Sequence, residues 1–184
     1  MSSACPGKLA HWHAVTDADD IERQVAGALD ALGVPYELVT IDPAFADTAA
    51  FCERYGVPLD QSANTIVVAS KKEPRQYGAC VVKATRRLDV NHVVRRLLGA
   101  SRVSFASAEE TKALTGMLIG GVTVLALPPD LPIYVDETLM SLPWLILGGG
   151  SRSLKVKTSP EVFRRLPGAT IVAGLSLPAT DPVH

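Results

Sequence analysis

The stretch "TGMLIGGVTVLALPPDLPIYVDE", residues 115–137, is the part of the sequence that decides the fold. Two adjacent glycines, Gly120 and Gly121, interrupt an apolar run that would otherwise suit a core strand. Because glycine in a strand interior loses side-chain packing and costs backbone entropy, the pair predicts a place where something approaches the backbone closely. A bulge or a tight turn between two strands is the alternative, and the residues alone leave both open.

Length and composition are those of one ordinary globular domain. The chain has 184 residues, of which 47% are hydrophobic and 20% are charged, enough to bury a sizeable core. No apolar run reaches the ~18 residues of a membrane span, and the start shows no secretory signal, so we predict a cytoplasmic protein without a membrane partner. The net charge of −1 argues against a dedicated, high-affinity nucleic-acid binder. Basic pairs such as Arg95-Arg96 still allow weak, salt-sensitive contact with phosphates.

Cysteine and histidine patterns predict neither a disulfide framework nor a metal site. Cys5, Cys52 and Cys80 are scattered and form no CxxC pair. Cys80 lies in "YGACVVK", where we expect a small buried hydrophobe rather than a reactive thiol. His11 and His13 form an HxH pair without a third ligand in view, so no metal and no cofactor is predicted.

Helical and strand patterns alternate irregularly along the chain. Helices are predicted at 20–32, at 47–55, at 89–98, after the "SAEE" capping box of Ser107 and Glu110, and at "SPEVFRRL". A polar "KKEPRQ" turn predicts a hairpin between "NTIVVAS" and "YGACVVKA". The other predicted strands are "VPYELVTI", "RVSF", "TVLAL", "PIYVD", "WLILGGG", "LKVKT" and "ATIVAGL".

This order favours a mixed α/β fold over a doubly wound parallel sheet, because regular βαβ alternation is missing. We predict a single domain over residues 16–175, with a curved, barrel-like mixed sheet and helices packed around it. Loosely ordered tails are expected at 1–15 and 176–184. No GxGxxG, P-loop, HExxH or GxSxG motif occurs, which argues against dinucleotide, phosphate, zinc-protease and serine-hydrolase sites.

Several short motifs follow one another in a recognisable order. "RRLD" precedes a helix, "LGA" follows it, "SAEE" and "LTG" precede the double glycine, and "VDE", a Gly-rich turn and "SPE" come after. In order and spacing, nearly the whole chain resembles the YbaK / prolyl-tRNA synthetase insertion-domain family of aminoacyl-tRNA editing domains. The resemblance implies a mixed α/β fold with a curved, barrel-like sheet and hydrolysis of the ester between a mischarged amino acid and its tRNA. Aminoacyl-tRNA and an aminoacyl-tRNA synthetase are the partners it implies.

The resemblance also implies the residues of the site. Gly120 and Gly121 match the family's double-glycine loop, whose amides could stabilise the oxyanion formed when water attacks the ester carbonyl. Asp136, in "VDE", could orient a loop or the substrate amine, or could cap the segment that follows it. The predicted substrate-binding residues are Thr65, Leu118, Val122, Thr123, Asp136, Gly148 and Gly149.

The chain departs from the family in the strand "NTIVVA". The family's enzymes open this strand with a lysine that holds the terminal adenosine, and this chain has Asn64 instead. Asparagine exchanges hydrogen bonds but brings no cation to a phosphate. Lys83, expected on the neighbouring strand, is a candidate replacement, with a solvated strand end as the alternative.

Three functions therefore stay open. The first is an editing hydrolase that acts in trans on mischarged aminoacyl-tRNA, with catalytic candidates Gly120, Gly121, Asn64 and Lys83. The second is a binding module for aminoacyl-tRNA or adenosine that kept the pocket and lost the chemistry because of Asn64. The third is a general interaction protein with a vestigial pocket. The sequence predicts neither the amino acid recognised nor the oligomeric state.

Overall fold

The structure, a computed structural model, describes residues 17–179. Its helices are α1 (Asp17–Leu32), α2 (Thr48–Tyr55), α3 (Arg95–Leu97), α4 (Ala108–Thr115) and α5 (Glu161–Arg165). Its strands are β1 (Tyr36–Thr40), β2 (Ala63–Ser70), β3 (Tyr77–Lys83), β4 (Arg86–Leu88), β5 (Val103–Phe105), β6 (Ile133–Asp136), β7 (Leu145–Gly148), β8 (Leu154–Thr158), β9 (Ala169–Val172) and β10 (Ser176–Pro178). Short 3₁₀ helices occur at Pro43–Phe45, Leu59–Gln61 and Glu137–Ser141, and a π-helical turn at Val90–Val94 leads into α3.

The helices follow the apolar spacing and the caps of the sequence. One face of α1 buries Ile21, Val25 and Leu29, as the helical spacing predicts. Before α4, the Ser107 hydroxyl accepts a hydrogen bond from the N–H of Glu110 at 3.1 Å. The Glu110 carboxylate accepts one from the N–H of Ser107 at 2.9 Å. The predicted capping box is therefore confirmed.

A five-stranded mixed sheet, in the order β5-β2-β3-β6-β9, forms the centre of the fold. β2 and β3 are antiparallel, from Ala63 opposite Lys83 to Ala69 opposite Tyr77, which confirms the predicted hairpin. β6 is parallel to β3, and β9 is parallel to β6. β5 pairs with β2 only opposite residues 68–70, so the outer edge of β2 carries no described strand along 63–67.

The remaining strands form two smaller sheets. β1, β8 and β7 form an antiparallel sheet, and β10 pairs with β4. A single parallel bridge between Ser62 and Ile146 connects the sheet of β2 with that of β7. The predicted mixed α/β class is confirmed. Within residues 17–179 the sheets do not close into one barrel, and the barrel-like shape stays a prediction.

Two apolar clusters cover both faces of the β2–β3 hairpin. The larger cluster is shared by α1, α5 and both larger sheets, and it includes Val81 and Phe163, each at most 1% exposed. The second cluster contains Val68, Cys80 and Val82 and packs against the helical segment at 90–97. Burial on both faces explains why these two strands read as nearly continuous apolar runs. Each large buried side chain contributes roughly 1.5–3 kcal/mol.

Two segments differ from the sequence-based expectation. Residues 123–127, "TVLAL", form no strand, although Thr123 and Leu125 are fully buried. The N–H of Leu125 donates to the Thr123 hydroxyl at 3.4 Å, and Ala126 has a φ of 60°, so the chain turns inside the core instead of extending. Periodicity alone does not distinguish a strand from such a buried turn. Residues 176–178, expected in a loosely ordered tail, form β10.

Candidate functional site

A pocket of about 290 Å³ opens where the central sheet meets the double-glycine loop. Its walls are the outer edge of β2, the start of α2, the loop at 118–122, and strands β7 and β8. The residues of the predicted site that line it are Asn64, Thr65, Gly120, Val122 and Gly148. Parts of the chain that are far apart in sequence therefore meet around one hollow.

The hollow exists because the outer edge of β2 is left open. Beyond the paired residues 68–70, the N–H of Ala106 still donates to the carbonyl of Val67 at 2.9 Å. Towards the start of β2, no described strand pairs with this edge. An open strand edge carries main-chain donors and acceptors that a ligand can use.

Two successive residues of β2, Asn64 and Thr65, line the pocket, and their polar side chains leave opposite faces of the strand. Oδ1 of Asn64 accepts a hydrogen bond from Oγ1 of Thr48 at 2.6 Å, which ties β2 to the first residue of α2. The Asn64 NH₂ group has no partner within residues 17–179. The Thr65 hydroxyl is buried and also lacks a hydrogen-bond partner among the described residues. Burying an unpaired hydroxyl costs about 1–3 kcal/mol, a cost that a ligand relieves only by displacing the atoms that cover the hydroxyl.

Gly120 faces the pocket in a conformation that only glycine adopts readily. Its φ is +93°, and a Cβ there would lie 2.5 Å from Nη1 of Arg152 and 3.1 Å from Cβ of Ala46. Its carbonyl accepts a hydrogen bond from Nζ of Lys155 at 2.9 Å. Its N–H has no hydrogen-bond partner in the described part of the chain. Gly120 thus leaves a main-chain donor available beside the hollow.

Gly121 does not share this arrangement, because its amide is already used within the loop. Its N–H already donates to the carbonyl of Leu118 at 2.9 Å, and its own carbonyl accepts from the N–H of Gly150 at 2.8 Å. A Cβ at Gly121 would lie 2.4 Å from both C and O of Ser151. The group that approaches this glycine is therefore the protein's own Gly-rich turn, and not a substrate.

Lys155, on β8, is a pocket residue that the sequence did not predict. The side chain is 5% exposed, and Nζ donates to the carbonyls of Ala46 at 2.7 Å and of Gly120 at 2.9 Å. Nζ also lies 5.5 Å from the centroid of the Phe51 ring. Burial lowers the Lys155 pKa to about 8, although the nearby Asp47 carboxylate opposes this shift.

Arg152 lies outside the pocket lining and is a second cation that holds the loop at 118–122. Its guanidinium donates to the carbonyl of Ile119 at 2.6 Å and to that of Pro43 at 3.1 Å, and it lies 3.5 Å from the Asp47 carboxylate. Arg152 and Lys155 therefore hold the carbonyls of two successive loop residues, Ile119 and Gly120. We call this pair the carbonyl clamp.

The sequence signal for Lys155 is weak because "LKVKT" alternates like a half-buried strand. Lys155 and Lys157 then share one face, and Lys157 fits that expectation, since it lies half-buried over the Trp144 ring at 4.8 Å. Lys155 differs because Gly148 lies opposite it in the β7–β8 register and offers no side chain of its own. Only the strand register reveals that Lys155 is the buried lysine of the two.

The other predicted residues lie away from the pocket lining. Lys83 is at the end of β3 opposite Ala63, and Leu118 is 50% exposed. The N–H of the fully buried Thr123 donates to Sδ of Met117 at 3.4 Å.

Two further predicted residues are occupied by contacts within the fold. Asp136 is fully buried, and its carboxylate accepts hydrogen bonds from the N–H and hydroxyl of Thr138. It therefore caps the helix Glu137–Ser141, which was the alternative left open by the sequence. The N–H of Gly149 donates to the carbonyl of Leu154 at 3.0 Å and so belongs to the Gly-rich turn.

Within the described residues, neither the Cys80 thiol nor a metal-binding cluster belongs to the pocket. Burial raises the pKa of the Cys80 thiol to about 12, which suits the expected core residue. Among the described residues, no three His, Cys, Asp or Glu side chains are grouped to hold a metal ion. Cys5 and the His11/His13 pair lie outside the described residues. Over 17–179, no helix has the length and apolar character needed to cross a membrane.

The fold is similar to those of several solved structures. The chain is similar to the crystal structure of the hypothetical protein APE2540, with a TM-score of 0.74 and 28% identity over 84% of this chain and 99% of that one. It is also similar to a candidate trans-editing enzyme for prolyl-tRNA synthetase, with a TM-score of 0.71 and 27% identity over 83% of this chain and 95% of that one. Residues 42–166, which include every residue of the pocket lining, match the aminoacyl-tRNA editing domain family. The chain belongs to the aminoacyl-tRNA editing domain family.

Proposed function

We propose that this chain is an editing-type hydrolase that cleaves the ester of mischarged aminoacyl-tRNA in trans. The observation that carries the proposal is the arrangement at Gly120. An unpartnered N–H lies beside the hollow, and the Lys155 side chain holds the carbonyl of the same residue. A preorganised donor next to a positive charge suits a carbonyl oxygen that becomes negative during the reaction.

In the proposed reaction, water is the nucleophile. Its oxygen forms a bond to the ester carbon, the bond between that carbon and the ribose oxygen breaks, and a water proton passes to the ribose oxygen. The products are the free amino acid and tRNA with a free hydroxyl. The N–H of Gly120 holds the developing oxyanion, and because water attacks the ester directly, no covalent intermediate forms on the protein.

The terminal adenosine would lie along the open edge of β2. The Asn64 NH₂ group and the Thr65 hydroxyl are polar groups on this edge that lack partners among the described residues. Lys155 supplies the positive charge that Asn64 lacks. Its ammonium has three donors and its two carbonyl partners use two of them, so one donor is left for the substrate. Lys83 and the amide of Gly121 have no part in this scheme.

A binding module with weakened chemistry is the second candidate. The observation that favours it is that two polar side chains of the pocket lining, those of Asn64 and Lys155, form hydrogen bonds within the protein itself. Asn64 accepts from Thr48, and Lys155 donates to the carbonyls of Ala46 and Gly120. In this case an aminoacyl-adenosine analogue would bind at the pocket without turnover.

The first test is deacylation of a panel of mischarged tRNAs. The first substrate to try is tRNA charged by prolyl-tRNA synthetase, because one similar structure is a candidate trans-editing enzyme for that synthetase. We expect hydrolysis well above the spontaneous rate for at least one amino acid. Spontaneous rates throughout, together with protection of the Gly120 loop by an analogue, would support the binding module instead.

Asn64→Lys separates the two functions further. If Lys155 already supplies the cation, the substitution removes the hydrogen bond between Asn64 and Thr48, and the added lysine brings no gain in hydrolysis. If the site is a binding module that lacks only the family lysine, hydrolysis appears or rises. Thr48→Val is the matched control, because it removes the same hydrogen bond without adding charge.

A further inference from the structure

Strand β5 connects the pocket with a second hollow on the surface. At its end, Phe105 lines the mouth of the pocket and is 60% exposed. At its start, Val103 lines an open depression of about 520 Å³. An aromatic side chain this exposed stabilises the fold little, and nucleic-acid-binding proteins use such rings as platforms on which bases stack.

The depression is lined by cations that lack counter-charges. Lys71, Arg95 and Arg102 line it, and none of the three has an ion-pair partner within the described part of the chain. The N–H of Lys71 donates to the carbonyl of Arg102 at 3.0 Å, which fixes the two residues side by side. His92 also lines the depression, but its ring nitrogen lies 2.9 Å from the Asp89 carboxylate. The positive charge thus comes from the other three.

The spacing between the ring and the cations suits a nucleic-acid strand. Arg102 precedes Phe105 by three residues, which corresponds to about 10 Å along an extended chain. A nucleic-acid strand whose bases stay stacked as in a duplex advances about 3.4 Å per nucleotide, so this distance corresponds to roughly three nucleotides of a stacked 3′ segment. A strand whose last nucleoside occupies the pocket would therefore bring phosphates of the preceding nucleotides over the depression.

We infer that this surface, the β5 track (Phe105, Arg102, Lys71 and Arg95), binds the 3′ segment of RNA that leads to the terminal adenosine. Phe105 stacks against a base next to the pocket, and the three cations pair with backbone phosphates. The inference rests on the proposed function, because it assumes that a tRNA end occupies the pocket. Three phosphate contacts also fit a chain of net charge −1, since they give moderate and salt-sensitive binding.

The test compares a long substrate with a short one. The variant Arg95→Gln/Arg102→Gln is assayed on mischarged full-length tRNA and on the same amino acid esterified to adenosine, which is too short to reach the depression. We expect kcat/KM on tRNA to fall about tenfold or more, mainly through KM, with less than a twofold change on the adenosine ester. The slope of log KM against log salt should flatten by about 1.4, or roughly 0.7 for each lost phosphate contact.

A matched control carries the same loss of charge elsewhere. Arg87→Gln/Arg164→Gln removes two exposed arginines that do not line the depression, and it should change KM on tRNA less than twofold. Phe105→Ala should lower kcat/KM on tRNA roughly 5- to 100-fold, the range for a lost stacking contact. An equal loss on both substrates, or an equal loss in the control, would overturn the inference.

A binding measurement separates failure of the track from failure of the proposed function. If wild-type protein hydrolyses neither substrate, the probe is a fluorescent single-stranded RNA with the 3′ sequence of a tRNA. Weaker binding by Arg95→Gln/Arg102→Gln than by the control would support the track without hydrolysis. Equal binding by the two variants, or equally effective competition by polyglutamate, would refute it, the latter in favour of an acidic protein partner.

Discussion

Nζ of Lys155 lies 2.9 Å from the carbonyl oxygen of Gly120, so a buried cation on β8 fixes the loop that lines the pocket. The same nitrogen reaches the carbonyl of Ala46 on the opposite wall, just before α2. One side chain therefore determines the distance between two walls and carries the positive charge of the hollow. Arg152 repeats the arrangement one residue earlier in the loop, at Ile119.

Replacing Lys155 should damage activity more than replacing the neighbouring lysine of the same strand. We expect Lys155→Met to lower kcat on a mischarged tRNA roughly tenfold to a hundredfold, because the loop loses its anchor and the oxyanion loses a nearby charge. Lys157→Met is the control, since Lys157 lies over Trp144 outside the pocket. Single-turnover kinetics checks the prediction, and equal rates in the two variants would contradict it.

Stability should depend on pH through Lys155. Its pKa is about 8 in the folded chain and near ~10.4 when unfolded. Between these values the unfolded chain binds the extra proton, so the free energy of unfolding rises with pH, by at most about 3 kcal/mol. This contribution is complete above the unfolded pKa and is lost as the pH falls through about 8. Urea titrations at pH 7 and pH 10 should show the rise in wild type and a smaller one in Lys155→Met.

Catalysis should move in the opposite direction over the same pH range. As the pH rises through about 8, the Lys155 ammonium loses its proton and the pocket loses its charge. We therefore expect kcat to fall on the alkaline side, after correction for spontaneous ester hydrolysis. An alkaline limb that persists unchanged in Lys155→Met would assign it to another group.

Gly120 should tolerate no side chain, because a side chain there meets both an unfavourable φ and a close contact. A variant at Gly168, which has only the unfavourable φ, separates the two effects. Gly120→Ala combines an unfavourable φ with a contact of 2.5 Å to Arg152. Gly168 has a φ of +76° and nothing within 4 Å of the position that a Cβ would take, so Gly168→Ala carries the strain alone. We expect each variant to lose about 1 kcal/mol or more of stability. Only Gly120→Ala should also lose at least tenfold in kcat, and unchanged turnover there would exclude the loop from the reaction.

Thr65 offers a test in which stability and binding change in opposite directions. Thr65→Val removes a buried hydroxyl that has no partner within residues 17–179, so the free energy of unfolding should rise by about 1 kcal/mol. KM for the aminoacyl substrate should rise several-fold, because we propose that substrate binding uncovers this hydroxyl and uses it. Thr158→Val, which breaks the 2.9 Å hydrogen bond to the carbonyl of Pro35, should instead lower stability by a similar amount. A stabilised Thr65→Val with unchanged KM would show that the substrate does not use the hydroxyl.

Local sequence patterns predicted the helices and strands well. They could not predict the packing of the site, because it brings together residues that are far apart in sequence. The capping box of Ser107 and Glu110 and the hairpin of β2 and β3 depend on near neighbours, and both are confirmed. The double glycine correctly indicated a close approach, but sequence cannot tell which backbone approaches. At Gly121 it is that of Ser151.

Residues that depend on strand register were beyond the sequence. Lys155 is buried because Gly148 lies opposite it and because Ala46 and Gly120 offer carbonyls, and none of these relationships is local. Lys83 had the right charge but lies at a strand end outside the pocket lining.

Gly148 and Val122 both line the pocket, and a Cβ at Gly148 would lie 2.3 Å from the carbonyl oxygen of Val122, so this part of the wall is main chain against main chain with no room for a methyl group. Substitutions cannot easily change the shape of this part of the pocket wall. Side chains at the rim are less constrained, and Ile119 is 52% exposed there. If the proposed function holds, selectivity for one amino acid over another can therefore drift, or be engineered, at Ile119 while the atoms of the proposed reaction stay where they are.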